Sequence, residues 1–182
     1  MDKHEIRIRN KDDTGWVNVL TSNNIEIENT QNYFESQYLE DVLTELYERF
    51  MIVATNGESD SLYKCQPVYI TSSNDIYLTN ASDVERYNIA GFVYDNTIQS
   101  GNKGSIKTNG MLVATVEQWN NVIDEQDGSN GLVEGENYYL SNKTTGKITK
   151  HPPETQGHYL VPIGQALTQT HFKINFDSII GL

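Results

Sequence analysis

Asp124, Asp127, Asn130 and Glu134 gather around Gly128 and Gly131, an oxygen-rich stretch of the composition that calcium loops use. The spacing misses the pattern in which oxygens fall at alternating positions and a carboxylate closes the loop, so the segment reads as a solvated acidic loop, with no metal or cofactor expected. His4, His151, His158 and His171 are scattered, without a helical i, i+4 pair or a neighbouring thiol. Ser, His and Asp are all present, yet no Gly-x-Ser-x-Gly elbow occurs. Glu134 and Glu154 lie in turn-rich segments with nothing to raise a carboxyl pKa for acid catalysis. Gly101-Asn102-Lys103-Gly104 leads into strand residues rather than a helix N-terminus, and so lacks the amide array that holds a phosphate. The expectation is a protein that is not an enzyme.

Composition narrows the partners. The formal net charge is −12 over 182 residues, which disfavours nucleic acid, because phosphate binding needs a face dominated by Lys and Arg. The densest basic stretch, Lys143 to Lys150, holds three lysines and reads as a solvated hairpin. Cys65 is the only cysteine, which rules out an intramolecular disulfide or a four-thiolate zinc site. No apolar run reaches membrane-spanning length and no signal-like segment follows Met1, so synthesis in a cytoplasm without membrane insertion is expected. Asn80-Ala81-Ser82 and Asn142-Lys143-Thr144 are then ordinary turns rather than glycosylation sites. Eleven tyrosines against two tryptophans suit exposed strands and contact surfaces.

The elements that would carry these residues fall into two parts. Glu5-Ile6-Arg7-Ile8-Arg9 alternates, Asn10 to Gly15 supplies turn residues, and Trp16-Val17-Asn18-Val19-Leu20 follows, which predicts a β-hairpin. From about Tyr33 to Met51 the period lengthens to that of a helix. Leu39, Leu43, Leu46 and Phe50 form its seam, widened by Tyr38, Val42 and Val53. That seam packs either on its own hairpin or on other copies of the chain. Residues 54–61 are turn-rich and predict a linker, so the expected organisation is an attachment and oligomerisation segment over 1–53 and a β-rich domain over 62–182.

Within the second part almost every element reads as strand. Gly101 to Gly110 contains a short Ser105-Ile106-Lys107 strand and an Asn109-Gly110 turn, a strong hairpin signal, before the apolar Met111-Leu112-Val113-Ala114-Thr115. Thr115 is placed to N-cap one or two helical turns that face Trp119 and Val122 or Ile123 inward. Val68-Tyr69-Ile70-Thr71, Ile76 and Ile89-Ala90-Gly91-Phe92-Val93 are echoed by Tyr138-Tyr139-Leu140-Ser141, Ile148 and Pro162-Ile163-Gly164-Gln165-Ala166. The likeness reads either as a degenerate duplication, giving two half-barrels or two facing sheets, or as the common vocabulary of strands and turns. The fold class expected is mainly β: an N-terminal hairpin with one amphipathic helix, then a compact β-barrel or β-sandwich.

This order of strand and turn words, from Gly101 to Gly110 through Gln118-Trp119 to Gly131–Ser141, Gly146–Thr149 and Tyr159–Leu167, resembles the small β-modules of tailed-bacteriophage virion proteins. The likeness extends over roughly residues 64–175 and is one of texture rather than of an invariant motif. It implies a structural virion protein, a homotrimeric head fibre or capsid decoration protein that binds other virion proteins. The alternative is a tail-fibre, baseplate or adaptor component with a β-module for host-surface carbohydrate, for which Trp16, Trp119, Tyr138, Tyr139 and Tyr159 offer stacking faces. The attachment and oligomer interface expected under either reading comprises Ile6, Ile8, Trp16, Leu39, Val42, Leu43, Leu46 and Phe50.

Overall fold

A computed structural model describes the chain over residues 51–182, and its first described strand begins at Met51, so Met51 and Val53, expected at the end of the helical seam, are strand residues. The predicted hairpin, the helical seam and the interface residues Ile6, Ile8, Trp16, Leu39, Val42, Leu43, Leu46 and Phe50 lie outside the described residues. The first strand, β1 (Met51–Asn56), takes in part of the expected linker and moves the start of the β domain ahead of residue 54. Its buried residues explain why: Ala54 and Asn56 face inward, and the Asn56 amide donates to the carbonyls of Asp60 at 2.9 Å and Ile98 at 2.8 Å. A turn-rich composition there serves a bonded turn, not a free connection.

The first set of strands is β1, β2 (Leu62–Tyr63), β3 (Pro67–Ile70), β4 (Asp75–Leu78), β5 (Gly91–Val93), β6 (Thr97–Ile98) and β7 (Lys103–Lys107). Five of them close a barrel in the order β1-β4-β3-β5-β7, and β2 pairs with β6 beside it. Ala54, Leu62, Val68, Ile76, Val93, Ile98 and Ile106 fill its interior. The second set is β8 (Gly110–Val113), helix α1 (Val116–Asn120), a 3₁₀ turn (Glu125–Asp127), β9 (Asn137–Leu140), β10 (Ile148–Thr149), β11 (Tyr159–Leu160), β12 (Pro162–Ala166), β13 (His171–Ile174) and β14 (Ile180–Gly181). Here the sheet order is β10-β9-β12-β13-β8, and β11 pairs with β14.

The barrel and the five-stranded sheet follow the same strand order and register. Val68 pairs with Gly91 in the first and Tyr138 with Gly164 in the second; Ile70 with Ile76, and Leu140 with Ile148. Val93 faces Ile106, which faces Ile52, just as Ala166 faces Phe172, which faces Leu112. Even the parallel closure recurs, Asn56 with Ile76 in one and a single Ile123–Ile148 bridge in the other, where α1 is inserted. The turn before the third strand repeats as well: Gln66 N–H donates to Tyr63 O, and Glu136 N–H to Val133 O, both at 3.2 Å. Cys65 and Asn74, among the described residues the non-glycine ones with positive φ (72° and 65°), occupy the places held by Gly135 and Gly146 in the other repeat. Shared register and shared backbone exceptions make the two halves a structural repeat.

The Asn109-Gly110 hairpin expected from the sequence does not form. β7 already pairs on both edges, with β1 and β5, while β8 pairs with β13, so the two residues between β7 and β8 carry the chain from one repeat to the other. The helix prediction fares better. Thr115 caps α1 in a capping box, its Oγ accepting from Gln118 N–H at 3.2 Å while the Gln118 side chain accepts from Thr115 N–H at 3.0 Å. Trp119, Val122 and Ile123 are buried, and the Trp119 indole donates to Thr170 O at 3.2 Å.

Phe172 is the hub of the larger core. Its ring lies 5.7 Å from Phe92, 5.6 Å from Trp119 and 6.0 Å from Tyr138, in edge-on or tilted contacts suited to aromatic quadrupoles. Phe172→Ala should therefore cost about 3–5 kcal/mol in denaturant unfolding. A loss no larger than that of an exposed site would remove Phe172 from the centre of the core. The paired glycines make a second test, because a Cβ on Gly91 would sit 2.6 Å from Lys107 O and one on Gly164 would sit 2.2 Å from Lys173 O. Gly91→Ala and Gly164→Ala should each destabilise by about 1–3 kcal/mol, whereas Gly181→Ala, with open space around it, should stay within about 0.5 kcal/mol. Equal effects at all three sites would contradict the close strand approach shared by the repeats.

Candidate functional site

The acidic loop is pinned to the β9–β10 hairpin by its own polar groups. Asp124 is buried and its Oδ2 accepts from Ser141 Oγ at 2.5 Å, and the same Ser141 oxygen accepts the N–H groups of Lys143 and Thr144 at 3.0 Å each. Asp127 Oδ2 accepts from Lys150 N–H at 3.0 Å. Its Oδ1 has no well-formed hydrogen bond and faces the exposed His151, whose Nε2 lies 3.1 Å away. Gln126 donates to Thr149 Oγ1 at 3.1 Å and accepts from the Lys143 ammonium, while Lys147 reaches the carbonyl of Ile123. Asn120 Oδ1 takes Gly131 N–H at 2.7 Å.

This arrangement changes the reading of both segments. The carboxylates of Asp124 and Asp127 accept hydrogen bonds from the opposite hairpin, and two of the three lysines expected to be solvated, Lys143 and Lys147, donate back to the loop. Among the described residues no three His, Cys, Asp or Glu side chains come together as a metal would require. Sequence reasoning missed Ser141 as the partner of Asp124. The signal was the duplication itself, since Ser141 occupies the place of Thr71, whose hydroxyl likewise closes its own turn by accepting from Asp75 N–H at 3.3 Å.

The proposed stacking residues are dispersed. Trp119 and Tyr138 are fully buried, with the Tyr138 hydroxyl accepting from Val133 N–H at 3.0 Å, so neither ring has a face to offer a ligand. Tyr159 is half-buried with its ring stacked on Tyr87 at 3.8 Å, and Trp16 lies outside the described residues. Tyr139 remains. It lines a shallow depression on the outer face of the second sheet with Asn137, Leu160, Pro162, Gln165 and Lys173. A partly buried ring amid amide and ammonium groups and the Asp177 carboxylate can meet and hydrogen-bond a polar ligand.

Cys65 is also accounted for structurally. Its side chain is fully buried in the turn that holds Gly135 in the second repeat, and burial pushes its thiol pKa up to about 12. Burial likewise raises the Tyr138 phenol above its usual range. Comparisons with family models, with curated proteins and with solved structures give no match.

Two solution tests follow from these contacts. Groups whose acid pKa is higher folded than unfolded contribute stability that is complete below the unfolded pKa and is lost as pH rises towards the folded one. Stability should therefore fall as pH climbs from about 8.5, the free thiol value, towards about 12, the Cys65 value, and Cys65→Ala should flatten part of that fall. A native chain whose Cys65 reacts with a thiol reagent as fast as the unfolded chain would contradict the burial. The second test is chelation, which should leave the melting temperature unchanged; a drop with EDTA reversed by calcium would reveal a metal at Asp124 and Asp127, because a ligand held only by the folded state must stabilise it.

Proposed function

We propose that this protein is a non-enzymatic structural component of a tailed-phage virion, a homotrimeric head fibre or capsid decoration protein whose N-terminal residues, ahead of the barrel strand at Met51, attach it to the capsid. The observation that best supports the reading is the fate of the reactive side chains. Asp124, Asp127 and Ser141 make hydrogen bonds that hold turns and hairpins, and the Cys65 thiol is buried. A duplicated β module rich in exposed strands and short turns suits a part that is built for assembly and exposure rather than turnover. Its acidity disfavours contact with the packaged nucleic acid.

Electron microscopy of virions of the encoding phage, labelled with antibody raised against the chain, should place it on the head. Label on the tail would replace capsid attachment with the tail-fibre, baseplate or adaptor alternative, and unlabelled virions would overturn the virion reading. In that alternative the Tyr139 depression is the carbohydrate site. Tyr139→Ala should then abolish retention of the protein on host cells without changing its melting temperature, and unchanged retention would exclude it.

A further inference from the structure

The duplication extends to the surface. Val53, Tyr63 and Tyr94 on the first repeat and Val113, Val133 and Leu167 on the second are all 38–54% exposed. They are three equivalent pairs. Val53 pairs with Ser105 and Val113 with His171, Tyr94 N–H donates to Ser105 O and Leu167 N–H to His171 O at 2.9 Å in both cases, and Tyr63 and Val133 open the same turn. Large apolar side chains scattered singly on a surface need no explanation, but the same positions kept apolar and exposed in two diverged repeats do. Inside, the repeats share Ala54 with Ala114, Leu62 with Leu132 and Ile76 with Ile148, and differ where Val68, Val93 and Ile106 have Tyr138, Ala166 and Phe172 as equivalents, so apolar character is held at the three outer pairs as it is in the core.

Charge distinguishes the two faces. Lys64 follows Tyr63, and its ammonium sits 5.2 Å from the centre of the Tyr94 ring. Its equivalent, following Val133, is Glu134, an exposed carboxylate on the rim of a cavity formed with Thr168, Gln169 and Thr170. A face carrying an ammonium is complementary to its own repeat carrying a carboxylate, and like charges disfavour each face meeting another of its kind.

We infer that these two faces are the halves of a self-association interface, in which the Val53/Tyr63/Tyr94 face of one chain packs on the Val113/Val133/Leu167 face of a second copy, with Lys64 opposite Glu134. The contact joins different surfaces, so it runs head to tail and closes into a ring if the rotation between copies permits. It stands independently of the virion assignment and of any contribution from residues 1–50.

Charge exchange in the full-length chain tests it. In sedimentation equilibrium, Lys64→Glu and Glu134→Lys should each weaken association about fivefold, as expected for an exposed ion pair turned into a repulsive one. The double variant should recover wild-type affinity, because each altered face then meets its altered complement. A wild-type chain that stays monomeric would overturn the proposal, as would a double variant that associates more weakly than either single one. Where the charge effect is too small to read, cysteines decide. A chain with Tyr63→Cys and Val133→Cys should form disulfide-linked multimers under mild oxidation, while each single substitution should not. Equal cross-linking by Tyr63→Cys alone would show that like faces meet instead, and no cross-linking by the pair would show that the faces do not meet.

Discussion

Strand β5 is the constraint on which the described domain depends. It is three residues long and buried on both sides: Val93 points into the first barrel, while Phe92 points out of it into the core of the second repeat, against Phe172 and Phe176. A strand with two apolar faces cannot be exposed on either without loss, so the two repeats are folded onto one another rather than strung in series. Gly91 makes this geometry feasible. Its missing side chain lets β5 lie close to the Lys107 carbonyl and the Ile106 side chain, and Gly164 does the same against Lys173 and Phe172.

Duplication also accounts for features that look anomalous singly. A cysteine with φ of 72° is costly for an ordinary side chain, and its persistence makes sense in a turn whose other copy uses Gly135 at 82°. Asn74 stands to Gly146 in the same relation, and its side chain adds a hydrogen bond to Val53 O at 3.1 Å that a glycine cannot make. Backbone requirements are common to both repeats, as are the core pairs Ala54 and Ala114, Leu62 and Leu132, and Ile76 and Ile148, while other side chains differ around them. The second interior took up larger rings, Tyr138 and Phe172, balanced by Ala166 and covered by Trp119 from the inserted helix.

Much of this was legible in residue order, because strand periodicity, turn glycines and helix caps act over a few neighbours. Thr115 as N-cap announced α1, and the likeness of the stretches holding Tyr69 and Gly91 to those holding Tyr139 and Gly164 offered the repeat as one of two readings. Pairing across the chain was not. Asn109-Gly110 has the chemistry of a hairpin turn, but whether β7 and β8 pair depends on β1 and β5 having taken both edges of β7 first, which no local pattern encodes. The start of the domain was misplaced for a related reason: Met51 to Asn56 continues an apolar seam in sequence but is drawn into the barrel by β7 and β4. At the candidate site, aromatic residue type did not separate Tyr138 from Tyr139, since adjacent strand residues point to opposite faces and register alone decides which is buried.

The two repeats end differently, and the difference is physical. The position that places Phe92 under a covering of aromatic rings in the first repeat is occupied by Gln165 in the second, where it lines an open, polar depression and donates to Gly135 O at 3.0 Å. Stacked repeats need a polar outer face at the end of the array if they are not to polymerise through it. Gln165 in place of phenylalanine closes that route, so a third unit would gain no apolar contact by adding along the line that joins the first two. Association through other surfaces is unaffected by this cap. Apolar side chains remain exposed on the flanks, Val53, Tyr63 and Tyr94 in the first repeat and Val113, Val133 and Leu167 in the second, so the association inferred above would use the flanks of the domain rather than its end.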